Sequence, residues 1–360
     1  MVYRIFPAFL KTFITSSFLI GLVPAAYGTA KALALPLGYL SDRIGHQKAV
    51  TLAFGALILT TLGLSFANGI VWYILFFFIV GLISNFFYSS ISALVGRSAK
   101  ATQSFFRMES AYQLGLFLGP IIGGIIAFQY SMTLAIQVWV LLAVIGFVAS
   151  SRFLRYPVER RTSSLKLLEV LRNRPRKILA PLLSSGFVTG FLLAGMDLAI
   201  PLYAVSLGYN LVEVGSLLGF AALINVAGSY TLSARIQRRS YRTGILIAFF
   251  FCGLSFFSLL FVTDLVLLII AAGLFSIGRT SALNVGRGLL VTTVTERNRA
   301  TTLSLLESTE SVGRIAGPLL IGLLIDATTF AAVFQLLLGI VIVATIGVVV
   351  FGKTISSAAR

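Results

Sequence analysis

Apolar runs alternate with short polar or charged breaks along almost the whole chain, and most runs have the roughly 20 residues a helix needs to cross a bilayer. The breaks predict spans at 18–39, 49–66, 70–95, 102–128 and 132–154, then at 178–204, 212–234, 244–262, 265–291, 301–325 and 330–351. Ahead of these, Tyr3 to Leu10 is apolar but stops at Lys11, about half a span. The chain is therefore expected to begin inside its first span, with a coding start upstream of Met1 or as a natural truncation. The fold class read from this pattern is an all-α membrane protein with about eleven full spans.

Composition supports that class, since 58% of the residues are hydrophobic and 11% charged. The net charge of +17 would suit a nucleic-acid binder, but the 28 basic residues crowd into alternate loops. One set holds Arg43 and Lys48, Arg97 and Lys100, the run from Arg152 to Lys177, Arg235 to Arg242, and Arg297 with Arg299. The connections near Asn68, Gln129, Asn210, Asp264 and Asp326 carry none. This is the positive-inside distribution, so the basic loops face the cytoplasm and the partner is a lipid bilayer, with no nucleic acid.

Catalytic and cofactor chemistry find no support. Cys252 is the single cysteine and His46 the single histidine, which leaves no Cys/His metal cluster and no Ser-His-Asp or Cys-His arrangement. The phosphate loop of a nucleotide-driven pump is also missing. No enzyme activity, cofactor or metal is expected.

The most informative polar break is Gly38-Tyr39-Leu40-Ser41-Asp42-Arg43-Ile44-Gly45-His46-Gln47-Lys48. Gly38 is expected to let one helix approach another, Asp42 and Arg43 to end a span with charge, Gly45 to turn the chain, and Lys48 to start the next span. This stretch resembles the hallmark loop between the second and third spans of the major facilitator superfamily. His46-Gln47 stands where that family usually has basic residues. The resemblance implies two pseudo-symmetric six-helix bundles with the first helix truncated, a solute site between them, and alternating access. It also implies that Asp42 seeks the positive start of the eleventh span, near 298–301, and there stabilises an outward-open state.

An internal repeat agrees with two bundles. Glu109-Ser110, Gly115, Gly119-Pro120 and Gly124 recur at one offset as Glu307-Ser308, Gly313, Gly317-Pro318 and Gly322, and Pro7 and Gly21 recur as Pro201 and Gly215. The expected organisation is an N-terminal bundle at 1–154, a basic cytoplasmic linker at 155–177, a C-terminal bundle at 178–352 and a cytoplasmic tail at 353–360. Leu165, Leu168 and Leu171 read either as one face of a surface helix in the linker or as part of a solvated charged segment. The repeated stretch Gly115-x-x-x-Gly119-Pro120-x-x-Gly123-Gly124 offers a smooth glycine stripe for close helix packing. It resembles the fifth-span motif of the antiporter branches of the superfamily, which implies exchange and efflux. The fourth-span Arg-x-x-Gln-Gly of the proton-coupled drug exporters is not matched by Phe77-Phe78-Ile79-Val80-Gly81.

Charges nevertheless lie deep in the spans. Counted at about 1.5 Å per residue, Lys31, Glu109 and Glu307 lie about 12–16 Å from the basic loops. Arg279, Glu310 and Arg314 fall near that level, and Asp197 closer to the outer end of its span. Such charges are costly unless paired or facing water, so function is the first reading. Glu310 and Arg314 have the i, i+4 spacing of an ion pair. Glu109 and Glu307, with Asp197 next, are candidate proton carriers in a low-dielectric cavity. Lys31, Asn85, Tyr112, Gln113, Asn225, Arg279 and Asn284 are candidate cavity groups. The function read from these features is export of a small organic solute across the plasma membrane by a monomer, in exchange for protons. The alternatives are uptake by symport and a receptor-like or inactive membrane protein.

Overall fold

In the computed structural model residues 2–96, 101–153, 176–236, 241–293 and 296–358 are described. A 3-10 turn at Val2–Arg4 leads into α1 (Phe6–Lys11), α2 (Ser17–Ala32), α3 (Ala34–Ile44), α4 (His46–Leu64), α5 (Ile70–Gly96), α6 (Ala101–Gln129) and α7 (Met132–Phe153). After the linker come α8 (Arg176–Ser206), α9 (Leu211–Ile236), α10 (Tyr241–Leu259), α11 (Leu265–Thr293), α12 (Glu296–Ala327) and α13 (Phe330–Ala358). No strand occurs among the described residues. Lipid cannot satisfy backbone N–H and C=O groups, so an apolar run of this length closes its hydrogen bonds within itself as a helix.

Ten of these helices, α4 to α13, are long and apolar enough to cross a membrane. The span expected at 18–39 is two helices instead, α2 and α3, which meet at Leu33. Pro36 explains the break, because its ring lacks an N–H and crowds the carbonyl one turn earlier. The amide Nδ2 of Asn85 on α5 donates to the Ala30 carbonyl at 2.8 Å, so the broken end of α2 is tied to its neighbour. Within the tail expected at 353–360, α13 continues as helix to Ala358. The linker at 155–177, apart from its last two residues, lies outside the described residues.

In the N-terminal half α2 and α4 pack on α5, and α4 also packs on α7; in the C-terminal half α8 packs along α12, while α11 holds α9 and α10 together. The apolar stretch of α8 is 78% buried against 22% for that of α7, which makes α8 a central helix and α7 a peripheral one. Leu59, Phe66, Val71 and Phe261 point outward and remain exposed, the surface a bilayer would cover.

The halves meet through α2 against α12 and α6 against α9. These contacts concentrate toward the outer ends. A β-carbon on Gly21 would lie 2.5 Å from the Pro318 carbonyl oxygen, and one on Gly322 2.6 Å from that of Ser17. Gly215 meets the Pro120 carbonyl and Gly124 that of Leu211 in the same way. Toward the inner ends Gly115 has open space around it, and Glu109, Tyr112, Asn284 and Glu307 are exposed. The halves are thus pressed together at the Gly21 and Gly215 end, while Gly115, Glu109, Tyr112, Asn284 and Glu307 lie open toward the other.

Candidate functional site

A polar cluster lies at the centre, where the halves face each other. Asp197 on α8 pairs with Arg4 of the N-terminal turn at 3.2 Å. Glu310 and Arg314, one turn apart on α12, pair at 2.6 Å, as their spacing indicated. Arg279 on α11 is within electrostatic reach of Asp197, Glu310, Arg314 and Arg4. Tyr112 on α6 is within reach of Tyr27, Arg4, Arg314 and Arg279. Both halves thus supply charges and hydroxyls to one region. An aromatic wall completes it, with the Tyr3 ring 4.8 Å from that of Tyr27 and 5.6 Å from that of Phe77. Tyr3, Phe6, Val23, Pro24 and Phe77 line a crevice that reaches Asp197.

Asp197 lies nearer the C-terminal than the N-terminal end of α8 and is paired with Arg4. Several expected positions shift. Glu109 and Glu307 were expected in a low-dielectric cavity, yet both are exposed. Glu109 accepts a 2.8 Å hydrogen bond from the amide of Gln113 one turn on, which leaves the Gln113 Oε1 buried without a partner. Asn85 is not a cavity group: it is 7% exposed and committed to Ala30. Asn225 is likewise buried, at 6% exposure on α9. Lys31 is half-buried with its ammonium 5.6 Å from the centre of the Tyr27 ring, a cation–π distance. Arg279 is half-buried and Asn284 exposed on α11.

The outer closure has its own polar lock, which sequence reasoning missed. Asp326, at the C-terminal end of α12, accepts the Ser16 hydroxyl at 2.7 Å and the backbone N–H groups of Ser17 and Phe18 at 2.6 and 2.9 Å. A carboxylate of one half thus caps the first turn of a helix in the other. The start of α9 is capped locally instead, with Asn210 Oδ1 accepting from Val212 and Glu213, and Glu213 accepting from the Asn210 N–H.

With this geometry in view, a family model described as Major Facilitator Superfamily matches residues 1–278 and 232–358. The chain belongs to the Major Facilitator Superfamily. It is a multi-pass membrane transporter of that superfamily, a family of transporters and not of enzymes. An uncharacterized MFS-type transporter of Methanocaldococcus jannaschii is 22% identical over 352 residues, covering 89% of this chain and 87% of the relative. The crystal structure of the nucleoside transporter NupG superposes with a TM-score of 0.82 at 13% identity, over 98% of this chain and 94% of that one. A POT family transporter in complex with 5-aminolevulinic acid gives 0.82 at 16% identity, over 98% and 93%. At these identities the structures establish the fold alone.

The two sequence motifs behave differently in this MFS transporter. In the loop, Gly45 carries the turn as expected, with φ 95° and its N–H on the Ser41 carbonyl. Arg43 and Lys48 are exposed, and Gly38 meets nothing within 4 Å, so the close approach expected there is not made in this structure. The Asp42 side chain lies outside the described ones. The Ser41 hydroxyl bridges His46 Nδ1 at 3.0 Å and the Ser90 hydroxyl at 2.7 Å, which ties the loop to α5. The glycine stripe packs on α9 from Phe117, whose carbonyl meets Gly219, to Gly124. Gly119 and Gly123 line an apolar cleft beside Trp139 of α7, and Gly115 is open. Much of the smoothness at this contact comes from the partner helix, through Gly215 and Gly219.

Proposed function

We propose that this transporter exports a small organic solute across the plasma membrane by alternating access in exchange for protons, with the 38–48 loop and the 155–177 linker in the cytoplasm. The N-terminal bundle at 1–154 and the C-terminal bundle at 178–352 rock about the α2/α12 and α6/α9 contacts. The observation that carries the reading is the Arg4–Asp197 pair, which joins the N-terminal turn to a helix of the other half. A proton on Asp197 removes the charge that holds Arg4, so proton binding and the arrangement of the cavity are linked through one carboxyl group. Glu109 and Glu307, exposed toward the inner side, fit an access route for protons better than the carrier itself.

The test uses inside-out vesicles containing the protein, a panel of labelled solutes and an imposed pH gradient. At least one solute should accumulate against its gradient. The D197N variant should keep solute exchange and lose that accumulation. If D197N accumulates solute as the wild type does, Asp197 is not the carrier, and accumulation without any pH gradient would remove proton exchange altogether.

A further inference from the structure

We propose that Arg279 holds an anionic headgroup of the transported solute, a carboxylate or a phosphate monoester, with the Tyr112 hydroxyl as a second donor. The inference rests on the transport reading above and adds the substrate class.

Of the three guanidiniums of the central cluster, two are paired with acids and one is not. Arg4 has Asp197 at 3.2 Å and Arg314 has Glu310 at 2.6 Å. Arg279 has no ion pair or hydrogen bond among the described residues, although Asp197, Glu310, Arg314 and Arg4 all act on it electrostatically. A guanidinium at membrane depth without a counter-ion is costly, and one that is kept there faces water or a ligand. Its position is fixed from behind: a β-carbon on the adjacent Gly278 would stand 2.6 Å from the Ala248 carbonyl oxygen and 2.7 Å from the Cys252 Sγ, so α11 is pressed against α10. A planar fork of donors on a fixed helix suits two oxygens of one headgroup.

Tyr112 adds a second contact from the opposite half. It is 55% exposed, and its hydroxyl makes no hydrogen bond among the described residues. An anion gripped by Arg279 and Tyr112 would touch both halves, as a solute that travels with the rocking motion must. The partly exposed Tyr3 and Tyr27 rings, with Phe77 buried behind Tyr3, offer an apolar surface for the rest of the molecule. A cationic solute would meet Arg279 and Arg314 with both acids of the cluster already engaged, and would be repelled.

Thermal unfolding of the purified, detergent-solubilised full chain tests this, with benzoate, inorganic phosphate, benzyl alcohol and benzylamine added in turn. Benzoate or phosphate should raise the midpoint, and which of them does so identifies the headgroup, while the neutral alcohol and the cation should not. R279Q should abolish the shift or weaken binding by about tenfold or more, R279K should keep part of it, and Y112F should weaken it. If R279Q does not fold, R279K and Y112F carry the comparison. A shift as large with benzylamine, no shift with either anion, or a full shift in R279Q would overturn the proposal. Exchange of the same probes in proteoliposomes separates the two readings. Anions that bind without being exchanged leave the site standing and remove transport, whereas uncharged solutes exchanged without competition from anions leave transport and remove the site.

Discussion

The Pro318 carbonyl oxygen stands 2.5 Å from where a β-carbon on Gly21 would lie, and the Pro120 carbonyl faces Gly215 in the same way. These are the two copies of one contact, exchanged between the halves, since Gly21 repeats as Gly215 and Pro120 as Pro318. Close approach of backbones is how helices associate in lipid, where no hydrophobic force between them operates. Any side chain at Gly21 or Gly215 would wedge the outer contact open. With spin labels on cysteines at Asn68 and Thr263 and Cys252 replaced by serine, G21V and G215V should each lengthen the outer distance. An unchanged distance in both would show that the contact does not hold the closed state.

Asp326 should act on the same equilibrium through polarity. Replacing it with alanine removes three hydrogen bonds to the start of α2. Loss of such a cap costs about 1 kcal/mol, enough to change the ratio of closed to open outer mouth about fivefold. The labelled pair should report that change in D326A and a smaller one in D326N. Expression and melting should stay close to wild type, because only one of the two states loses the contact.

Asn85 should behave as a stabilising group and not as a solute ligand. N85A removes one of the two donors to the Ala30 carbonyl at the α2/α3 break, the Leu33 N–H being the other, a cost of about 0.5–1.5 kcal/mol. The melting midpoint should fall while solute affinity of the folded protein is kept. A loss of affinity with unchanged melting would place Asn85 in the cavity after all.

The spans were legible in the sequence because lipid imposes long apolar runs and basic residues mark one side. The break at Leu33 was hidden inside such a run, although Pro36 signalled it. Central residues were harder to place. Arg4 belongs to a short apolar stretch that by itself predicts no span, and Tyr27 looks like one more apolar residue in a helix. Asp326 was set aside as part of an outer connection. Yet it meets the condition applied to Asp42, a carboxylate at the unfavourable end of its own helix that needs the start of another. The depth of Glu109 and Glu307 was readable from residue counts, but which side of the helix they occupy depends on rotation, and it leaves them exposed.

The Glu310–Arg314 pair tests whether a deep charge is structural. Glu310 is 4% exposed, and the Glu310 carbonyl packs directly on Gly190 of α8. Removing one partner of a buried pair typically costs about 3–5 kcal/mol, because the other charge is left behind. E310Q should therefore lower the melting midpoint strongly, and E310Q/R314Q should recover part of it. A double variant no better than E310Q would indicate that Arg314 is not what the lost carboxylate leaves stranded.

Alternating access itself is tested by measuring both mouths in one protein. One spin-label pair at Asn68 and Thr263 reads the outer side, and a second at Lys48 and Thr293 reads the cytoplasmic side. Distances are compared for the protein as folded here and for G21V, which disfavours outer closure. The outer distance should grow and the cytoplasmic distance shrink together. Distances that stay fixed, or that change in the same direction, would contradict a rocking motion of the two halves about the Gly21–Pro318 and Gly215–Pro120 contacts.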